Sequence, residues 1–340
     1  MKEDTRTEPP ARVSVIVPVF NGAQHISAAL ESVLAQTVLP YELIVVNDGS
    51  TDHTAGVLAD QISDYNEVLS ITLIEQVNAG QSASRNAAAM RATGDLLAFL
   101  DQDDLWHPEH LARLVESFEG RPDLGLAYSD FDEIDQDGNL VTRQFIATHT
   151  LSHPKFSAVA YLKEDTMILP TASVVRASAF RAVGGFDTQL QGYEDDDLWF
   201  RLFRAGWESG YLPESLARFR VHGTSSSRAA SFRQSRMRFF RKVAALMPDD
   251  DNLQRYYVSD VLVPRLVRSS LGDYRTAITL RNWSEARAIA RSINELFVGS
   301  RSRILRSYER RILRFPRVAR LLMGFLENNR GGVDPRGRLL

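Results

Sequence analysis

Three carboxylates in four positions, Asp101, Asp103 and Asp104, close the apolar run Leu96-Leu97-Ala98-Phe99-Leu100. Carboxylate oxygens of this kind suit Mg²⁺ or Mn²⁺, hard cations that usually bring substrate phosphates with them. Asp101 and Asp103 are two apart, so on a continuing strand they point the same way. Such acids have another use, at the start of the helix opened by Trp106-His107-Pro108-Glu109, with Asp104 at its approach. A second acidic run, Glu194-Asp195-Asp196-Asp197, leads into Leu198, Leu202 and Phe203 at helical spacing. Four acids there complement a helix dipole. A carboxylate in a cleft is equally the usual general base for a hydroxyl. The third candidate is His222, in His222-Gly223-Thr224-Ser225. A neutral imidazole is a common metal ligand, but a lone one is more often a partly buried polar side chain.

The elements that must carry these residues follow from periodicity. Val13–Pro18, Leu43–Val46, Ile71–Ile74 and Leu96–Leu100 read as strands, the last buried on both faces. Helical spacing recurs at Ile26, Leu30, Val33 and Leu34, around Val57 and Leu58, in the alanine-rich stretch to about Arg91, and from Pro108 to about Phe118. Gly125–Tyr128 reads as a fifth strand. Alternation at βαβ spacing argues a mostly parallel sheet with helices on both faces. In such a sheet the turns Pro18 to Gly22, Asp48 to Ser50, Asn78 to Arg85 and Asp101 to Asp103 fall on one edge, where open α/β sheets bind ligands. Gly-rich turns admit close backbone approach and helix N-termini hold phosphate.

Beyond about residue 130 the pattern changes. Asp137-Gly138 signals a hairpin-type turn, Thr171–Val175 a strand, Ala177–Val183 a short helix, and short strands run on to His222. From about 228 only helices are expected. The chain has 340 residues, 44% apolar and 24% charged, which fits one large soluble domain and an appendage. It has no cysteine, which excludes disulfides and thiolate metal sites. Neither a secretory leader nor a transmembrane run is read. The net charge of −3 is uneven: residues 271–340 hold 15 Arg, no Lys and 6 acids, for +9, against −12 on the rest. A basic tail suggests an anionic partner. Between Arg301 and Arg320 eight arginines meet one acid, Glu309, while Ile304, Tyr308, Ile312 and Phe315 keep an apolar helical face.

Five segments occur in order at fitting distances: Val15-Ile16-Val17-Pro18-Val19-Phe20-Asn21, Val46-Asn47-Asp48-Gly49-Ser50-Thr51-Asp52, Asn78-Ala79-Gly80 with Arg85-Asn86, Phe99-Leu100-Asp101-Gln102-Asp103-Asp104, and Glu194-Asp195-x-Asp197-Leu198. Together they closely resemble the family 2 inverting glycosyltransferases of GT-A fold, over about residues 12–225. The resemblance implies a nucleotide-diphosphate sugar donor, most often a UDP- or dTDP-sugar, and a divalent Mg or Mn ion. The donor would be bound by Pro18, Val19, Asn21, Asp48, Asn78, Gly80, Arg85, Asp101 and Gln102. Within that set Asp48 would read the base, Arg85 face the diphosphate or ribose, and Asp101 touch the nucleoside. Asp103 and His222 would meet the metal, and Asp195 would take the acceptor proton, supported by Glu194 and Asp197. No Gln-x-x-Arg-Trp follows Asp195, so a processive cellulose- or chitin-type synthase is not expected.

The implied organisation is a disordered 1–10, a catalytic domain over 11–225 (nucleotide-sugar half 11–130, acceptor half 131–225), helices over 226–330, and a flexible 331–340. The expected acceptor is a saccharide or lipid-linked saccharide in bacterial cell-surface polysaccharide or glycolipid synthesis, with no nucleic acid involved. The expected location is cytoplasmic and peripheral on the inner membrane face, through the basic 301–320 helix. Two rivals stay open: a nucleotidyltransferase, although a Gly-rich basic loop after the first strand is missing, and an inactive nucleotide-binding scaffold.

Overall fold

The computed structural model describes residues 11–221 and 230–298. The expectations for the 1–10 segment, for His222, for the 301–320 helix and for the 331–340 tail lie outside them. The chain divides into two compact units, one of residues 1–161 and 166–235, the other of 162–165 and 236–340.

The first unit is built on a nine-stranded sheet. Strands β1 (Val13–Val19), β2 (Glu42–Asn47), β3 (Ile71–Glu75) and β4 (Leu96–Phe99) alternate with helices α1 (Ile26–Leu34), α2 (Thr54–Tyr65) and α3 (Gln81–Arg91). All four strands are parallel, so their carboxyl ends share one edge. Alternate residues serve opposite faces. Val15, Val17, Leu43 and Val45 join Ala29, Leu30 and Val33 of α1 and Leu58 of α2 in one core. Phe99 belongs to the other face, where its ring lies 5.8 Å from Phe180 and 5.2 Å from Phe186.

The remaining elements are β5 (Leu105–Trp106), α4 (His110–Glu116), β6 (Leu124–Ile134), β7 (Leu140–Thr142), α5 (Phe145–Thr148), α6 (Ala158–Leu162), a 3₁₀ turn at Pro170–Ala172, β8 (Ser173–Arg176), α7 (Ala177–Ala182), α8 (Glu194–Arg204) and β9 (Glu208–Arg220). The strand order is β3-β2-β1-β4-β8-β6-β9-β5, with β7 on β6. The second half is therefore mixed: β8 runs antiparallel to both β4 and β6, and β6 runs parallel to β9. The expected parallel pairing runs unbroken through β1 to β4 and returns between β6 and β9, with β8 set antiparallel between the two halves.

Two strands are longer than their sequences suggest. Gly125–Tyr128 is part of an 11-residue β6. The strand continues through Asp130, whose buried carboxylate accepts from Ile146 N at 2.8 Å and Ala147 N at 3.0 Å at the start of α5. The short strands before His222 are one 13-residue β9. Its pairing with β6 steps from Leu212 opposite Ser129 to Ser215 opposite Asp130. Pro213 and Glu214 are thus left out of the ladder, as a bulge accommodates a proline that cannot donate.

β4 is shorter than expected. It stops at Phe99, because Thr171 Oγ1 takes the Asp101 N–H at 3.0 Å. Asp104 N then closes on Asp101 O at 3.1 Å. Asp101 and Asp103 accordingly sit on a tight turn rather than on a continuing strand.

In the second unit a π-helical stretch, Tyr257–Leu262, runs into α10 (Val263–Thr279), followed by α11 (Trp283–Val298). The helix preceding them, α9, spans Ala230–Leu246, and residues 236 onward belong to this unit. Arg236 donates to Ser270 Oγ at 3.0 Å and to Asp273 at 2.8 Å, and Arg265 pairs with Asp165 at 2.9 Å. Among the described residues no helix is long and apolar enough to cross a membrane.

Candidate active site

The shared edge of β1 to β4 is held together by its own loops. Pro18 and Val19 are buried in β1, and Val19 O accepts from Asp48 N at 2.8 Å. Gln102 clamps Phe20 from both sides, accepting from its N–H at 2.8 Å and donating to its carbonyl at 3.2 Å. Asn21, at a φ of 50°, accepts from Thr51 N at 2.8 Å. The Asp48 carboxylate is buried and accepts from Ala79 N, Gly80 N (both 2.8 Å) and Gln76 Nε2 (2.6 Å). Asp48 therefore fixes the loop that carries Asn78 and Gly80. Gly49 makes that loop possible: at a φ of +72°, a Cβ would lie 2.8 Å from Asn78 N.

Arg85 lies one turn into α3 and is 1% exposed. Its Nη2 reaches Asp101 Oδ1 at 2.5 Å and its Nη1 reaches Glu194 Oε1 at 3.1 Å. Its guanidinium also lies 5.1 Å from the Phe186 ring centre. Burial opposes its charge, but Asp101 and Glu194 outweigh burial and hold its pKa above the ordinary arginine value. One cation thus joins two acidic runs 93 positions apart in sequence, Asp101 and Glu194. Gln81 Nε2 adds a bond to the same Asp101 oxygen at 2.9 Å.

The four acids that open α8 have four different environments. Glu194 takes Arg85 and, through its second oxygen, Gly192 N at 2.8 Å. Asp196 accepts from Tyr161 OH at 2.8 Å. Asp197 is fully buried and pairs with Arg201 at 2.7 Å. Arg201 in turn donates to Val183 O at 2.5 Å and Gly185 O at 2.7 Å, so Asp197 anchors the glycine turn before α8. Asp195 is half-buried, and the bond described for its carboxylate comes from the backbone, Asp196 N at 2.8 Å. Burial, with Glu194 and Asp196 adding repulsion, pushes its carboxyl well above the usual range, and Arg85 pulls against that. Among the described residues no side-chain donor is seen on this carboxylate, and its raised pKa makes it more basic than an ordinary aspartate.

At the 101–104 turn, Asp104 is buried, accepts from Arg220 N at 2.8 Å through Oδ1 and has the Thr171 hydroxyl beside its carboxyl, while Oδ2 has no hydrogen-bond partner among the described residues. Burial and then Asp103 and Asp101 push the Asp104 carboxyl well up. Arg220 also donates from Nε to Asp103 O at 2.8 Å, so the end of β9 is fastened to this turn two residues before His222. Among the described residues no group of three His, Cys, Asp or Glu could hold a metal unaided. Crowded hard oxygens with one orphaned carboxylate oxygen nevertheless fit an Mg²⁺- or Mn²⁺-type ion that takes its other ligands from phosphate and water.

The Glycosyl transferase family 2 model matches residues 14–184. The chain belongs to that family. A glycosyltransferase of Nostoc sp., named as uncharacterized, is 31% identical over 225 residues, 65% of this chain and 68% of that protein. Chondroitin synthase of Escherichia coli is 28% identical over 57% of this chain, the match covering 27% of that larger protein. Among solved structures, S. aureus TarS in complex with UDP-GlcNAc superposes with a TM-score of 0.62 at 17% identity, covering 88% of this chain and 87% of that one. Mannosyltransferase PcManGT of Pyrobaculum calidifontis, in complex with GDP-Man and Mn²⁺, gives 0.58 at 19% identity, with 92% and 87% covered. At such identity the likeness shows the fold, and the GT-A architecture is shared.

The structure of this glycosyltransferase brings together the 18–22, 48–50, 78–85, 101–104 and 194–197 segments. It also gives tasks to residues to which the sequence assigned none. Thr171 ends β4, Arg220 fastens β9 to the 103–104 turn, and Asn86 clamps Phe186 through its N–H (2.9 Å) and carbonyl (2.8 Å). Arg220 carried one usable signal, its place between the apolar Phe219 and Val221. Thr171 and Asn86 act on backbone distant in sequence, and no spacing announces that.

Proposed function

We propose that the protein transfers a sugar from a nucleotide-diphosphate donor to an acceptor hydroxyl with inversion, using Asp195 as the base. The observation that carries this reading is the Arg85 bridge between Asp101 and Glu194. It joins the acids of the donor edge to the helix turn that bears Asp195. The loops of Asn21, Asp48, Asn78, Gly80 and Gln102, with the ends of Pro18 and Val19, frame the donor, and Asp101 lies at its inner wall. Arg85 is sealed between carboxylates, so it serves the donor through Asp101.

Asp103, with Asp104 behind it and His222 beyond β9, would hold a divalent ion. When bound, such an ion offsets charge on the departing diphosphate. The acceptor oxygen forms a bond to the anomeric carbon as the bond from that carbon to the phosphate oxygen breaks. Its proton passes to an Asp195 oxygen. The electron pair of the broken bond leaves with the nucleoside diphosphate. One displacement on one face inverts the anomeric centre and needs no enzyme nucleophile.

Relatives support the donor class: TarS is seen with UDP-GlcNAc and PcManGT with GDP-Man and Mn²⁺. A UDP- or dTDP-hexose is the proposed donor, and a saccharide or lipid-linked saccharide the proposed acceptor. Polysaccharide or glycolipid synthesis at the cytoplasmic membrane face is the proposed setting, for which the E. coli chondroitin synthase likeness speaks. Contact through the basic 301–320 segment is part of that setting. The test is ¹H NMR of the product formed from a panel of nucleotide sugars. Inversion of the donor's anomeric configuration is expected, and retention would end the single-displacement mechanism.

A further inference from the structure

The connection between α10 and α11 leaves two large apolar side chains in water. Leu280 is 73% exposed and Trp283 53% exposed, three positions apart. Neither is a fraying end. The turn is closed by Asn282 N to Ala277 O at 2.8 Å and Arg281 N to Ile278 O at 3.0 Å, the paired bonds of a Schellman cap. The left-handed position of that cap usually takes glycine, yet Arg281 occupies it at a φ of 56°. Asn282 Oδ1 then accepts from Glu285 N at 3.2 Å and starts α11. The tip is therefore a built structure that presents Leu280, Arg281 and Trp283 outward.

Charge around the apolar tip is mainly positive. Arg275, Arg281, Arg287 and Arg291 are all exposed, against Glu285 in the same stretch. Among the described residues Arg281, Arg287 and Arg291 have no ion-pair partner. Asp273 and Glu295, the neighbouring acids further from the tip, are already paired with Arg236 and Arg241. Trp283, Arg287 and Arg291 are spaced by four, so they form one stripe along α11. The buried side of that helix is a different set, Ala286, Ile289, Ile293 and Leu296. At 1.5 Å per residue the stripe recedes from the tip by about 6 and then about 12 Å. That places a tryptophan at the head and arginines behind it, the arrangement by which amphipathic side chains sit at a lipid headgroup layer with their charges at the phosphates.

We propose that the α10–α11 tip is a membrane-contact site that takes an anionic lipid surface. Leu280 and Trp283 enter the headgroup boundary, and Arg281, Arg287 and Arg291 meet lipid phosphates. The proposal stands on this hairpin alone and not on the transferase reading, and it is separate from the 301–320 segment.

The test uses the full chain and co-sedimentation with vesicles of phosphatidylcholine, with and without about 30 mol% phosphatidylglycerol. Wild type should bind the anionic vesicles at low salt and not the neutral ones. The double variant L280S/W283S should lose about tenfold in binding, and so should R281E/R287E. All four positions are exposed, and circular dichroism confirms that the variants fold. Brominated lipid should quench wild-type tryptophan emission and leave that of L280S/W283S unchanged. Absence of wild-type binding would overturn the proposal. So would equal binding by the double variants, which would assign any membrane contact to the tail. A dimer that L280S/W283S converts to monomer without any change in vesicle binding would make the tip a self-association surface instead.

Discussion

Replacing Arg85 with Gln removes the one cation between Asp101 and Glu194, whose side chains are only 20% and 9% exposed. Breaking a buried pair by removing one partner costs about 3–5 kcal/mol, because the other charges stay buried without compensation. The partial exposure of Asp101 favours the lower end, about 3 kcal/mol, or roughly a hundredfold in the folding equilibrium. In a unit of this size that shifts the thermal midpoint by about 6–12 °C. The same change acts on Asp195, whose raised carboxyl Arg85 now restrains. The base works only when ionised, so wild-type turnover should fall as pH drops through that raised pKa. Without Arg85 the acidic limb of the kcat profile should move to higher pH. Calorimetry and the pH profile of the surviving activity read the two effects separately. A midpoint within about 1 °C of wild type, together with an unmoved acidic limb, would refute the bridge as described.

The acids of α8 should separate by stability. Asp195 has a folded pKa above its unfolded value, so stability falls as pH rises between the two, and its carboxylate is destabilising at neutral pH. Asp195→Asn should therefore unfold at or above the wild-type midpoint at pH 7, whereas Asp197→Asn should lose about 3 kcal/mol with its buried Arg201 pair, both measured by urea titration. Gly49→Ala should raise donor KM at least several-fold and lower the midpoint, since its Cβ meets the Asn78 backbone at 2.8 Å in a left-handed conformation; an unchanged KM would free that loop of any donor role. EDTA should abolish transfer, with Mg²⁺ or Mn²⁺ restoring it, and Asp103→Asn should weaken the restoration; full transfer in EDTA would remove the ion from the account.

The shared edge of β1 to β4 was legible because its signals are local. Val13–Val19, Glu42–Asn47 and Ile71–Glu75 are β-branched runs with a turn at each end, and parallel pairing then places the turns together without further information. The second half of the sheet was not, because its polar residues are buried and satisfied from far away. Asp130 looks like a strand end until α5 supplies the donors, and Pro213 looks like one until the bulge opposite Ser129 and Asp130 absorbs it. The site shows the same contrast. The acidic runs stand out by composition, but the brace that Arg85 makes between Asp101 and Glu194 shows only in its burial and contacts. Asp48 likewise has a second task, as the anchor of the 78–80 loop.

The central claim is that Asp195, and not its neighbours, takes the acceptor proton. The most direct measurement is kcat of Asp195→Asn beside its donor dissociation constant. The account predicts a loss of about 10²–10⁴-fold in kcat with donor binding unchanged. Turnover near wild type in that variant would contradict it.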